Sequence, residues 1–162
     1  MMIQALTFSH WPQVKSIYEQ GIASGHATFQ SSAPDWEQWD KAHLSIPRLV
    51  MTEDDRVVAW AALSPVSARL VYAGVAEVSV YVATENQGKG IGKHILEQLI
   101  AHSEQNNFWT LQAVIFPENK SSLKIHEQLG FRMIGVRERI GKMNGIWRST
   151  ILLERRSKIV GC

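Results

Sequence analysis

The chain has one cysteine, Cys162, and it is the last residue. No internal disulfide can form, and no cysteine spacing suited to a metal site exists. Long apolar runs are missing too: every uncharged stretch falls well short of the roughly 20 residues that cross a bilayer. The start, Met1-Met2-Ile3-Gln4-Ala5-Leu6-Thr7, has no basic segment leading into an apolar one, so it does not read as a secretory signal. Neither sign of charge dominates. The 17 Lys and Arg against 15 Asp and Glu leave a net charge of +2, too weak for nucleic-acid binding by bulk electrostatics. The basic cluster Arg155-Arg156-Ser157-Lys158 reads as a solvated tail. Low-complexity tracts, internal repeats and Pro/Gly/Ser linkers are also lacking. The simplest expectation is a cytoplasmic protein with no metal, nucleic-acid or membrane partner.

What is present fits one domain over residues 1–162, a length that supports a substantial core but not two ordinary ones. Apolar residues at 45% and charged residues at 20% give a globular composition rather than a disordered one. Ile3 to Phe8 reads as a short strand. Pro12 suits a helix first turn, and Val14, Ile17, Tyr18 and Ile22 follow at helical spacing up to Gly25. A second short helix starts near Pro34-Asp35 and carries Trp36 and Trp39. Leu49–Thr52 and Val57–Leu63 form a hairpin turning at Asp54-Asp55. Val75–Val82 is a stronger strand. Gly90 to about Asn106 is a helix with Ile91, Ile95, Leu96, Leu99 and Ile100 as its apolar stripe. Thr110–Ile115 is a strand, and Asn119–Leu129 a helix stopped by Gly130. Arg132–Ile140 and Ile146–Leu153 close the chain as a hairpin across Gly141–Gly145. Early strands arrive as a hairpin and later ones alternate with helices. That order predicts an α/β fold with a mixed sheet, not a fully parallel one.

The most informative stretch runs from Val80-Tyr81-Val82 through five loop residues into Gly88-Lys89-Gly90-Ile91-Gly92-Lys93. A strand enters a glycine-rich turn that opens a helix. Backbone N–H groups at a helix start are unpaired and carry the positive end of the dipole. Glycines let a phosphate approach them without an intervening Cβ. The expected ligand is a pyrophosphate. Two nucleotide patterns fail: the Gly-x-x-x-x-Gly-Lys-Ser/Thr spacing does not occur, and the turn reads Gly-x-Gly-x-Gly rather than Gly-x-Gly-x-x-Gly.

Gln87-Gly88-Lys89-Gly90-Ile91-Gly92 does fit Gln/Arg-x-x-Gly-x-Gly, and resembles the pyrophosphate loop of the GNAT superfamily of N-acetyltransferases. Asn119-Lys120-Ser121-Ser122 through His126-Glu127-Gln128-Leu129-Gly130-Phe131 resembles a second segment of that family, one helix and one strand further on. Ala27-Thr28-Phe29, Tyr72, Glu77 to Val82 and His126-Glu127 are similar to its phosphinothricin acetyltransferase branch. Tyr72 to Glu77, Glu138 to Met143 and Glu154 to Lys158 resemble arsinothricin-acetylating neighbours. The resemblance spans nearly the whole chain. It implies a GNAT fold: a central mixed sheet splayed between its fourth and fifth strands, helices on both faces, and acetyl-CoA in the splay as co-substrate. It implies acetylation of the α-amine of a small amino-acid-like molecule (phosphinothricin, methionine sulfoximine or sulfone, or arsinothricin), hence resistance or detoxification, in a homodimer with the acceptor site near the subunit boundary. Acetylation of protein N-termini or polyamines, or an acetyl-CoA-binding module without turnover, are the alternatives.

Acetyl transfer needs a base for the amine, a donor for the thioester carbonyl and a proton for the leaving thiolate. Strand alternation puts Glu77, Ser79 and Tyr81 on one face and the valines on the other. A carboxylate in so apolar a strand loses hydration and becomes a stronger base. Glu77, matching the branch's catalytic glutamate, is therefore the candidate base. His126 is the candidate catalytic partner by resemblance, as donor to the thiolate or as part of a proton relay. The backbone of Val80, Tyr81 and Val82 is expected to hold the cofactor and polarise the acetyl carbonyl. Gln87, Gly88, Lys89, Gly90, Ile91, Gly92 and Lys93 are expected to hold the pyrophosphate. Asn119 is expected to anchor the pantetheine, to cap its helix, or both. For the acceptor, Arg69 is the nearest arginine to the key strand, and Thr28, Phe29, Tyr72 and Trp147 are candidates for the pocket wall. This sequence has Tyr72-Ala73 where many phosphinothricin relatives carry Tyr-Arg, and Gln30 where the family often has Glu.

Overall fold

A computed structural model describes all of residues 1–162. The elements are β1 (Met2–Ala5), α1 (Trp11–Ser24), α2 (Trp36–Ala42), β2 (Arg48–Glu53), β3 (Arg56–Pro65), β4 (Val75–Val82), α3 (Ile91–Gln105), β5 (Thr110–Ile115), α4 (Lys120–Gln128), β6 (Arg132–Met143) and β7 (Ile146–Arg156). The seven strands form one sheet in the order β1-β2-β3-β4-β5-β7-β6. Every neighbouring pair is antiparallel except β4 and β5, which run parallel. The mixed sheet expected from the element order is therefore present, and its single parallel pair is linked through α3.

The two faces of the sheet carry two cores, as period-2 alternation requires. On one face the stripe Ile91, Ile95, Leu96, Leu99 and Ile100 of α3 packs with Ala59, Ala61 and Leu63 of β3, Ala76 and Val78 of β4, and Leu111, Ala113 and Ile115 of β5. On the other face Val14, Ile17 and Tyr18 of α1 and Trp39 of α2 pack with Trp60 and Ala62 of β3. Asp35 caps α2 by accepting from the Gln38 N–H at 2.8 Å, while the Gln38 side chain accepts from the Asp35 N–H at 3.2 Å. Gly25 ends α1 in the left-handed region. No helix is long and apolar enough to cross a membrane.

Three expectations need correction. The first strand stops at Ala5; Leu6 turns into the core beside Trp11, and a 3-10 turn over Phe8–His10 follows. The closing loop is shorter than Gly141–Gly145. β6 continues to Met143, and Asn144-Gly145, both at positive φ, make the turn alone, which is the residue pair a tight hairpin favours. The basic tail is not a solvated one. Arg155 pairs with Glu104 of α3 at 2.9 Å and donates to Leu129 O, while Arg156 donates to the carbonyls of Ser157, Val160 and Gly161. These contacts fasten the chain end to the body of the protein.

Candidate active site

The sheet opens at one place. β4 pairs with β5 only through Val75–Thr110, Ala76–Leu111 and Glu77–Gln112. Beyond Glu77 the two strands part, while residues 78–82 stay registered with β3 on their other side. The β5-facing backbone edge of Val80, Tyr81 and Val82 therefore has no strand partner, in the interior of the sheet, where an open edge is otherwise costly. The splay lies between the fourth and fifth strands, as the resemblance implied.

The glycine-rich turn stands at the far end of β4. Gln87 donates from Nε2 to Val82 O at 3.4 Å, tying the turn to the strand. Gly88 and Gly90 both have positive φ, 75° and 78°, and a Cβ on either would point into open space. Gly90 caps α3, and the N–H groups of residues 88–93 find no acceptor within the chain. Such a row of free donors at a helix start is an anion cradle. Lys89 and Lys93 are exposed beside it. Gly92 has a different job: a Cβ there would touch Val82 at 3.4 Å and Ile125 at 3.5 Å, so its smallness lets α3 approach β4 and α4.

A cavity of about 830 Å³ runs through the splay. Glu77, Ser79 and Tyr81 line it from the α1/α2 face, and Val78, Val80, Ser122 and His126 from the α3/α4 side. Glu77 is half-buried, and its Oε1 accepts from Gln112 Nε2 at 2.8 Å. His126 is 5% exposed and lies edge-on to Phe131, with ring centroids 5.0 Å apart. Its Nδ1 is 2.7 Å from Ser122 O. A carbonyl only accepts, so Nδ1 carries the proton and the neutral ring presents a bare Nε2. Burial pushes the imidazole below its ordinary value of 6.5, and the bond to Ser122 opposes this only in part. Burial likewise pushes the Tyr81 phenol far up, so it stays protonated.

The other sequence candidates divide. Thr28, Phe29 and Asn119 line the same cavity. Phe29 is held edge-on against Phe116 at 4.8 Å, and Gly141 of β6 leaves just enough room for its ring, which a Cβ there would meet at 2.8 Å. Asn119 caps α4 by accepting from the Ser122 N–H at 3.4 Å, and its Nδ2 donates to His26 O at 3.3 Å. Arg69, Tyr72 and Trp147 do not line the cavity. Arg69 sits over the Tyr72 ring at 5.5 Å, and Tyr72 borders a separate hollow with Trp109 and Arg156. Trp147 is exposed near the hairpin tip, with Lys142 at 5.8 Å from its ring.

Sequence reasoning missed three contributors. Gln112 was anonymous until its register with Glu77 was known. Arg148 reaches from β7 to Gly25 O, to His26 at 2.9 Å and to Glu118 at 3.2 Å, with its guanidinium 3.9 Å from the Phe116 ring centroid. It pins the loop that carries Thr28 and Phe29. His43, just past α2, lines the cavity with its ring stacked on Trp39 at 4.2 Å. The only signal available was a histidine next to a short tryptophan-bearing helix.

Two imidazoles, buried His126 and half-buried His43, make stability depend on pH. Burial lowers both His43 and His126 from 6.5. Between the folded and unfolded values the unfolded chain binds more protons, so stability rises with pH in that window. Their contribution is complete above about 6.5 and is lost as pH falls toward the lower folded values. The melting temperature is expected to drop between pH 7.5 and 5.5, with scanning calorimetry as the readout; a flat profile would mean that both rings protonate freely in the folded protein.

A mixed sheet split along its one parallel pair, with an anion cradle at the end of the split strand, defines an acyl-CoA-dependent acyltransferase. The acetyltransferase (GNAT) domain matches residues 16–152, and the chain belongs to this family. It is an acetyl-CoA-dependent N-acetyltransferase. Over 137 residues it is 32% identical to a Bacillus subtilis (strain 168) protein that carries the provisional name phosphinothricin acetyltransferase, covering 82% of this chain and 84% of that protein. Over 139 residues it is 31% identical to an L-amino acid N-acyltransferase of Escherichia coli K12, covering 83% and 81%. A phosphinothricin acetyltransferase of Sinorhizobium meliloti, solved in complex with acetyl-CoA, superposes with a TM-score of 0.89 at 26% identity, covering 99% of this chain and 90% of that one. The free donors of residues 88–93 and the open space before Gly88 and Gly90 fit the pyrophosphate of acetyl-CoA. No group of three or more His, Cys, Asp or Glu side chains is arranged to hold a metal ion.

Proposed function

We propose that this chain, acting as one catalytic domain, acetylates the α-amine of a small amino-acid-like acceptor. Phosphinothricin, methionine sulfoximine or sulfone, and arsinothricin are the acceptor types in view, with detoxification in the cytoplasm as the outcome. The observation that carries the reading is the continuous cavity through the splay. It holds one carboxylate, Glu77, and the bare imidazole nitrogen of His126, Nε2, at opposite sides of β4. Polyamine sites need several acids around the acceptor, and Glu77 is the only carboxylate on this wall. The names of the relatives point the same way.

Acetyl-CoA supplies the thioester. Glu77 accepts a proton from the acceptor's ammonium, directly or through one water, and Gln112 holds its carboxylate in place. Backbone N–H groups on the open edge of Val80–Val82 polarise the acetyl carbonyl. The tautomer of His126 suits a relay: the bare Nε2 accepts the proton the amine loses as the amide forms and passes it to the leaving sulfur of CoA. Cys162 is exposed at the chain end and lines no part of the cavity, which supports direct transfer without an acyl-enzyme. Arg69, Tyr72 and Trp147 lie on exposed surface. In a homodimer with the acceptor site near the boundary, they would reach the acceptor from a neighbouring subunit.

Release of free CoA with a panel of acceptors tests the reading. The panel contains the three acceptor types, common L-amino acids, an Ala-initiated peptide and spermidine. Turnover confined to the free amino acids and their analogues is expected. Preference for the peptide or spermidine would replace the substrate class, and silence across the panel with acetyl-CoA still bound would leave a binding module.

A further inference from the structure

The cavity wall contains no lysine or arginine, and beyond Glu77 and His126 it carries two more imidazoles: exposed His26, which is held by Arg148, and half-buried His43. Three contacts fix this ring. Its Nδ1 lies 2.7 Å from Trp39 O, one helical turn back. The carbonyl can only accept, so Nδ1 holds the proton and Nε2 bears the lone pair. The ring stacks on Trp39 at 4.2 Å and meets the edge of Trp60 at 6.2 Å. His43 Nε2 has no partner in the chain, although packing has locked the ring that carries it.

The backbone then decides what that lone pair is near. Leu44 N–H donates to Leu63 O at 2.8 Å, which brings the segment after α2 onto β3 beside Ser64. Ser64 is the register partner of Glu77 across β3 and β4. Ser64, Glu77 and His43 all line the cavity. The base and the His43 imidazole therefore share one end of it, on the α1/α2 face. The groups nearest His43 keep it neutral. Burial disfavours the imidazolium, and the Arg48 guanidinium adds to this while Asp40 opposes it. Arg48 itself is occupied by Asp40 and by the carbonyls of Asp40, His43 and Leu44.

An acceptor arrives as an ammonium with three N–H donors. Glu77 alone cannot orient it, because one contact leaves the nitrogen free to swing. A neutral imidazole with an outward lone pair is the complementary second acceptor, whereas a lysine, an arginine or a protonated histidine would repel the ammonium. Stacking on Trp39 uses only the ring and the bond to Trp39 O uses only Nδ1, so neither structural contact employs Nε2. Resting on the amine-acetylating reading above, we propose that His43 touches the acceptor: its Nε2 accepts a hydrogen bond from the amine beside Glu77 and aims the nitrogen at the thioester carbon. His43 stays neutral throughout, and the proton that leaves the ammonium goes to Glu77.

Two variants test this against a structural role. His43→Phe keeps the stacking and removes both nitrogens. His43→Asn keeps a donor for Trp39 O and removes the outward acceptor. Each is assayed with the best acceptor from the panel, and acetyl-CoA affinity is measured by calorimetry. The expected result is a fall of roughly 10–100-fold in kcat/KM for the acceptor, the range for one hydrogen bond to a charged group, with acetyl-CoA affinity unchanged. In the wild type, the His43 Nε2 resonance in ¹⁵N NMR is expected to move when that acceptor is added to the CoA-bound enzyme. Wild-type kcat/KM in either folded variant would overturn the proposal, and so would a parallel loss of acetyl-CoA affinity in both; if one variant does not fold, the other decides. A wild type that acetylates nothing in the panel removes the proposed function and this inference together, whereas an active wild type with an unimpaired variant removes His43 alone.

Discussion

Replacing Glu77 with Gln is expected to lower kcat by about 10²–10⁴-fold at neutral pH, the usual cost of losing a general base. The geometry makes this substitution clean. Glu77 lies at the last paired position of β4 with β5, where its backbone is held from both sides. Gln112 donates to one of its oxygens, and a glutamine amide oxygen can accept that same bond. Shape and register survive, and what disappears is the ability to take a proton. Acetyl-CoA affinity is expected to stay near wild type, because the cradle at residues 88–93 and the open edge at 80–82 are backbone features. The pH profile separates base loss from misfolding. In the wild type, kcat/KM rises with pH as the free acceptor amine deprotonates. In Glu77→Gln, raising the pH supplies free amine without help, so part of the deficit is recovered. A variant with wild-type kcat and an unaltered profile would make Glu77 structural and move the proton route to His126, His43 or solvent.

The parts of this protein that are legible in its sequence are those whose cause is local. β4 and β5 begin and end at the residues their alternation predicts, because Glu77, Ser79 and Tyr81 against Val78, Val80 and Val82 encode two differently covered faces within one strand. The glycine-rich turn is legible for the same reason, since its chemistry belongs to consecutive backbone groups. β1 is not: Leu6 and Phe8 prolong the apolar alternation, and only the packing of Leu6 beside Trp11 shows where the strand stops. The basic end reads as a tail until Glu104, the fourteenth residue of α3, comes to face Arg155. The site divides likewise. Gln112, His43 and Arg148 meet Glu77, Trp60 and His26, which lie 35, 17 and 122 residues away, and no local pattern encodes those meetings. Arg69 and Tyr72 mislead in the opposite sense. They are close to Glu77 in sequence, yet they precede β4 and belong to the end of the strand where Trp109, not the cavity, is the neighbour.

Replacing Gly90 with Val is expected to weaken acetyl-CoA binding roughly 100-fold or more. The cradle's donors act on charged oxygens, and losing two such bonds costs about 1.5–3 kcal/mol each. The cause is steric and conformational rather than a clash inside the protein. A Cβ at Gly90 meets no atom of the chain within 4 Å, so the new side chain would occupy the open space through which a phosphate approaches the N–H groups. The φ of 78° is also one that β-branched residues avoid, which pulls the start of α3 out of line and costs about 1–3 kcal/mol of backbone strain. Gly92→Ala is the matched comparison. Gly92 has an ordinary φ, and its added methyl would only touch Val82 and Ile125 at 3.4–3.5 Å, so acetyl-CoA affinity should change far less. Calorimetric titration of both folded variants, with circular dichroism to confirm α3, reads the difference. Equal affinity in Gly90→Val and wild type would take the pyrophosphate away from this turn, and an equal loss in both variants would assign the effect to helix packing instead of the open cradle.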